Sequence, residues 1–242
     1  MNGSEFWIAY TLLMVVCTLA FEYRALQQGK LDQQNRSQMS NLDYLAGVFK
    51  GLASLGFLGC FYQHAELDQD VDYVQKVVLG IALLASAIGD VLLVGKRQVF
   101  FLLGLIAFFV AHLAYAFVFL EPVLSADLDL INLVNGGMSL SVILISFFAY
   151  RYFHPHIPKD LVYPAMAYTG VIGLMMSIAL VHAVSLYHYT VAIGAVAFWL
   201  SDLAVAKQQF QADHLRQDGF YVRLWGLPLY YVAQIILGSS VG

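Results

Sequence analysis

Eight apolar stretches, each about the length of a bilayer crossing, follow one another along this chain. They lie at about 6–21, 43–63, 74–95, 99–120, 130–150, 161–181, 188–206 and 222–239. A helix crosses the hydrocarbon core with about 20 mostly apolar residues, fewer when its ends dip into the interface. The remaining composition leaves little room for another solvent. Of 242 residues, 60% are hydrophobic, twelve are Lys or Arg and sixteen are Asp or Glu, too few charges to cover a water-facing globule. The net charge of −4 provides no basic face for nucleic acid. Cys17 and Cys60 sit inside apolar stretches and read as small hydrophobes. The expected fold is an all-α integral membrane protein, a bundle of eight transmembrane helices in one domain over residues 1–242.

Basic residues supply an independent check on the span count. Arg24, Lys30 and Arg36 fall between spans one and two, and Lys96 and Arg97 between three and four. Arg151 and Lys159 separate five from six; Lys207, Arg216 and Arg223 separate seven from eight. The alternate connections at 62–73, 121–129 and 182–187, and both tails, contain none. The positive-inside rule makes the basic side cytoplasmic and places both termini on the other side. A connection as short as 96–98 forces antiparallel neighbours. Gly47 with Gly51, and Gly170 with Gly173, read as small-residue pairs for helix packing. Gly89-Asp90 on span three is echoed by Ser201-Asp202 on span seven, which suits two four-helix halves in one orientation.

Three charged side chains lie well inside spans: Lys50, Asp90 and Asp202. Such groups are costly in hydrocarbon unless paired or hydrated. At 1.5 Å rise per residue all three lie roughly 6–11 Å below the cytoplasmic boundary, so one polar pocket opening inward is expected. Two carboxylates with one cation leave a surplus negative charge, which favours holding a proton on one of them. That is the requirement for a general acid beside a general base, and Asp90 and Asp202 are the candidate catalytic pair. Lys50 is placed to hold one of them ionised or to bind a phosphate. Ser86 precedes Asp90 by one helical turn and is expected to orient its carboxyl group. His112, Tyr168, Tyr231 and Gln234 are candidates for positioning or lining the site. His-x-x-x-His, Cys-x-x-Cys and His-Glu-x-x-His are all absent from the sequence, so no metal site is expected.

Several short motifs share one resemblance. Gly89-Asp90-Val91-Leu92-Leu93, Phe101, Gly104-Leu105, and Ala107 through Tyr115 with His112 among them, occur in order. Ser201-Asp202-Leu203, Phe210 and Tyr230-Tyr231-Val232-Ala233-Gln234 follow. Together they resemble the YhhN-like lysoplasmalogenase family of membrane hydrolases, over spans two to eight. That family tends to show Lys-Pro in the second span, whereas Lys50 here precedes Gly51; the cation is retained without the proline.

The resemblance implies hydrolysis of the vinyl-ether bond of lysoplasmalogens to a fatty aldehyde and glycerophospho-ethanolamine or -choline. Protonation of the vinyl carbon gives an oxocarbenium ion that water captures, so one acid and one base suffice, with no cofactor. The expected partners are a single-chain ether phospholipid and membrane lipid, and compactness suggests a bacterial inner membrane. The rival reading is a proton-coupled carrier that uses Asp90, Asp202 and Lys50 as a relay. Hydrolysis of lysophospholipid esters or ceramide amides is a variant of the first reading. A receptor or scaffold would need more exposed loop than this chain has.

Overall fold

A computed structural model describes residues 3–31, 39–67, 72–125, 133–210 and 219–240. Among these residues are eight long helices: α1 (Gly3–Leu31), α2 (Asn41–Leu67), α3 (Tyr73–Leu92), α4 (Gln98–Ser125), α5 (Leu133–Phe153), α6 (Val162–Leu186), α7 (Tyr189–Phe210) and α8 (Gly219–Gly238). All eight are long and apolar enough to cross a membrane, and no strand occurs among the described residues.

Their ends follow from local chemistry. Before α2, the Ser40 amide donates to Asp43 Oδ2 at 2.7 Å and the Asp43 amide to Ser40 Oγ at 3.2 Å, a reciprocal capping box. Asp72 caps α3 by accepting from the Val74 amide. Tyr187, in the left-handed region at φ 60°, terminates α6. Two short 3-10 turns, His154–His156 and Lys159–Leu161, join α5 to α6.

Two boundaries differ from expectation in a way that matters. The first helix continues well past residue 21 and carries Glu22 inside it. The last begins at Gly219, three residues before the expected start at 222, so Arg223, counted above with the basic residues of the preceding connection, lies a full turn inside α8. In α1 the apolar run stops at Glu22 while the helix does not, because that carboxylate has a buried partner in Lys50.

The pairs α1 with α2, α3 with α4, and α7 with α8 pack most extensively, and α4 also packs on α6. An aromatic core forms where α2, α4, α7 and α8 meet: Phe57, Tyr115, Phe119, Phe198 and Tyr231 are fully buried. Edge-to-face contacts of Tyr230 with Phe57 and Phe108 extend it. Large side chains such as Leu13, Val16, Ile88 and Phe148 point outward, as lipid-facing residues do. α5 stands apart, with 11% of its span buried against 50% for α6, its principal partner.

Glycine allows two close helix approaches beside the polar residues. A methyl group added at Gly104 would stand 3.2 Å from the Gly89 carbonyl oxygen, so α3 and α4 nearly touch just where Asp90 projects. One added at Gly226 of α8 would lie 2.4 Å from Ala204 Cβ of α7, which has no side-chain freedom to withdraw. Gly226→Ala is therefore expected to force α7 and α8 apart and destabilise the fold by about 1–3 kcal/mol. Thermal unfolding in detergent against the unsubstituted protein checks this. Gly47 and Gly173 also sit in tight contacts, with Val94 and Ser146 respectively, but Gly170 does not: the packing role expected of it is not observed, and its surroundings are open.

Candidate active site

Lys50, Asp90 and Asp202 line one cavity of about 280 Å³ enclosed by α1, α2, α3, α4, α7 and α8. Its inner wall is built on an ion pair. Lys50 Nζ donates to Asp90 Oδ1 at 2.9 Å, and both side chains are more than nine-tenths buried. Tyr231 of α8 stands 2.5 Å from Asp90 Oδ2 and 3.0 Å from the Lys50 backbone carbonyl, dividing its one proton between two acceptors. With an ammonium on one oxygen and a hydroxyl on the other, the ionised form of Asp90 is well satisfied.

Asp202 has different company. Tyr168 of α6 donates to its Oδ2 at 2.9 Å, and His112 Nε2 of α4 lies 3.3 Å from the same oxygen. His112 Nδ1 is 2.6 Å from the Phe108 carbonyl, which can only accept, so Nδ1 carries a hydrogen. The buried Nε2 has no hydrogen-bond partner in this arrangement, so its approach to Asp202 is a proximity rather than a formed bond. His112 is fully buried and stacked on Phe198, which fixes its ring. No described residue hydrogen-bonds to Asp202 Oδ1, and Asp202 lines both the polar cavity and an apolar slot beside it.

Among the expected contributors, Lys50, His112, Tyr168 and Tyr231 all touch one or other carboxylate. Ser86 does not orient Asp90. It is fully buried and makes no hydrogen bond to Asp90, whose oxygens are taken by Lys50 and Tyr231 on α2 and α8. Gln234 accepts from Tyr115 at 2.7 Å and does not line the cavity.

The surplus negative charge expected from two carboxylates and one cation is not present. Four acids (Glu22, Asp43, Asp90, Asp202) and four bases (Lys50, Lys96, Arg97, Arg223) line the cavity, so its formal charge is balanced. Glu22 Oε1 stands 4.0 Å from Lys50 Nζ, and Arg223 is 3.6 Å from the other Glu22 oxygen. Lys96 pairs with Asp43 at 2.7 Å in the turn that follows α3. Tyr230 belongs to the closing sequence motif but is not among the candidate site residues named from it. Its buried hydroxyl has no hydrogen-bond partner, and it lies close enough to feel the charge of both Asp90 and Asp202.

The YhhN family profile matches residues 45–241. The chain belongs to the YhhN family. Similar members include Lysoplasmalogenase TMEM86B of Sus scrofa, 34% identical over 161 residues that make up 66% of this chain and 61% of the relative. Lysoplasmalogenase TMEM86A of Bos taurus is 28% identical over 167 residues, 66% of this chain and 63% of the relative. Lysoplasmalogenase TMEM86B of Mus musculus is 31% identical over 157 residues, 64% and 59% respectively. The match thus spans about three-fifths of these relatives' length. No solved structure matches the chain. The YhhN match covers Lys50, Asp90, His112, Tyr168, Asp202, Tyr231 and Arg223, whereas Glu22 on α1 lies before it.

Proposed function

We propose that this YhhN protein hydrolyses the vinyl-ether bond of single-chain ether phospholipids, with Asp202 as acid and Asp90 as base. The observation that carries the reading is the unequal environment of two carboxylates on one cavity. Asp90 is tied to a cation, whereas Asp202 accepts from a phenol and lies beside an imidazole. Environments that separate two carboxylates in this way define an acid and a base. Relatives named lysoplasmalogenase supply the substrate class.

The chemistry balances with these groups. Asp202 transfers a proton to the vinyl carbon beta to oxygen, with His112 as its proton partner, and the electron pair of the double bond forms the new C–H bond. The oxocarbenium ion is captured at its other carbon by water, whose proton passes to Asp90. The hemiacetal hydroxyl proton then moves to the departing glycerol oxygen as the C–O bond breaks, releasing aldehyde and alcohol. Solvent in the cavity returns the proton from Asp90 to Asp202. Lys96, Arg97 and Arg223 on the cavity wall suit a headgroup phosphate. By the positive-inside rule this end of the bundle faces the cytoplasm.

A vinyl-ether lysolipid and its saturated ether analogue, offered to protein in detergent, separate this reading from its rivals. Aldehyde is expected from the vinyl ether alone, since the saturated ether has no carbon to protonate. Release of a fatty acid from an ester analogue at equal rate would instead indicate an esterase. A carrier would show counterflow in vesicles and no product; α3 and α7 run unbroken through Asp90 and Asp202, unlike the interrupted helices of many carriers.

A further inference from the structure

Three cavities adjoin one another, and Asp202 stands at one of the junctions. The polar cavity and the apolar slot have Asp202, Phe108 and Phe101 in common. The slot, about 90 Å³, shares Ser146, Tyr150 and Thr169 as lining with a groove of about 610 Å³ between α4, α5 and α6. At its other end the slot is lined by Phe101 and Phe210, in edge-to-face contact. The groove extends along α6 to Val181, thirteen residues beyond Tyr168. That is about 20 Å at the helical rise, somewhat more than one leaflet's half of a ~30 Å hydrocarbon core.

We propose that the groove and slot bind the hydrocarbon chain of the substrate, admitted sideways from the lipid between α5 and α6, with its head end stopping at Asp202. The proposal rests on the hydrolase reading above and adds where the chain lies. Two observations commit the groove to this occupant. It adjoins the slot, and among the described residues Asp202 is the carboxylate that lines both that apolar slot and the polar cavity. And α6 bears Gly170 on the groove, where an added methyl would meet nothing within 4 Å, so the open space is not a packing requirement of the protein. The order of atoms also fits. In a vinyl-ether lipid the carbon that takes the proton is the one nearer the chain, and Asp202 is the carboxylate on the chain side. A second acyl chain would have to enter the cavity lined by Lys50, Asp90, Lys96 and Arg97. Burying charges against hydrocarbon opposes that, so a single-chain lipid is the class selected.

Gly170→Leu projects a side chain into the groove from a position where an added Cβ meets nothing within 4 Å. The expected result is a loss of kcat/KM on a long-chain vinyl-ether lysolipid, relative to a short-chain one, of at least about tenfold, the lower end of what a methylene-sized misfit causes in an apolar pocket. Gly170→Ala should shift the same ratio less, and Val110→Leu, on the outer face of α4, should leave it unchanged. Equal thermal midpoints establish that the variants are folded. A binding readout stands beside activity: Trp199 lines the slot, and a chain-brominated saturated ether lysolipid should quench it saturably in protein carrying Trp7→Phe and Trp225→Phe. Gly170→Leu should abolish that quenching. An unchanged chain-length ratio together with unchanged quenching in folded Gly170→Leu would overturn the groove while leaving the hydrolase reading intact. No aldehyde from any chain length with unsubstituted, folded protein would overturn both.

Discussion

Asp202→Asn is expected to lower aldehyde release by roughly 10²–10⁴-fold, the usual contribution of a general acid or base, with the fold retained. The amide keeps the size of the side chain and still accepts from Tyr168, but it has no proton to give to carbon. Asp90→Asn should fall as far for a different reason, since the captured water then has no base. Isotope exchange separates the two roles. In D₂O, Asp90→Asn still protonates the vinyl carbon and reverses, so recovered substrate should carry deuterium at that carbon. Substrate recovered from Asp202→Asn should carry none. Deuterium appearing with Asp202→Asn and not with Asp90→Asn would exchange the assignments. Both variants losing activity only because they fail to fold would be seen as aggregation on gel filtration.

Removing the cation opposite Asp90 should have the largest effect on stability. Lys50→Met leaves Asp90 more than nine-tenths buried with its charge uncompensated, and breaking a buried pair from one side costs about 3–5 kcal/mol. Glu22, whose carboxylate also faces Lys50, loses its second cation at the same time and retains Arg223 alone. The sign of the test lies in the double change. Replacing both partners, as in Lys50→Met with Asp90→Leu, should recover a substantial part of the lost thermal stability, because an apolar pair of similar volume in that place is close to neutral. Lys50→Met that unfolds at the same temperature as the unsubstituted protein would mean that water already reaches the pair. Neither variant is expected to release aldehyde.

Much of this architecture is legible in the chain because the bilayer imposes a length. Each of the eight spans had to present a long apolar run, and each lies within or close to a helix of the structure. Lys50, Asp90 and Asp202 are equally visible, since a charge in the middle of such a run has few reasons to be there. What escaped notice lies at the ends. Glu22 falls just outside the first apolar run and Arg223 counts with the basic residues of the last connection, whereas both lie in helices, where Glu22 faces Lys50 and Arg223 pairs with Glu22. Tyr230 escaped for the opposite reason. In a chain with fifteen tyrosines, an unpartnered hydroxyl is indistinguishable from a packed one until its neighbours are known. Ser86 shows the limit of helical spacing: one turn from Asp90 is near enough to bond, but partners on α2 and α8 decide which way the carboxylate leans.

The sparse burial of α5 has a consequence for what counts as the molecule. Where most helices of the bundle press on several neighbours, α5 has α6 on one flank and, over most of its remaining surface, lipid. The groove between them is thus shaped on its open side by acyl chains under lateral pressure. A thicker or more tightly ordered bilayer compresses that boundary, and a micelle of bulky detergent relaxes it, while the ion-paired cavity behind remains as the protein builds it. With the groove holding the substrate chain as proposed, lipid composition is expected to act on how readily that chain is taken up, and much less on the bond-breaking step.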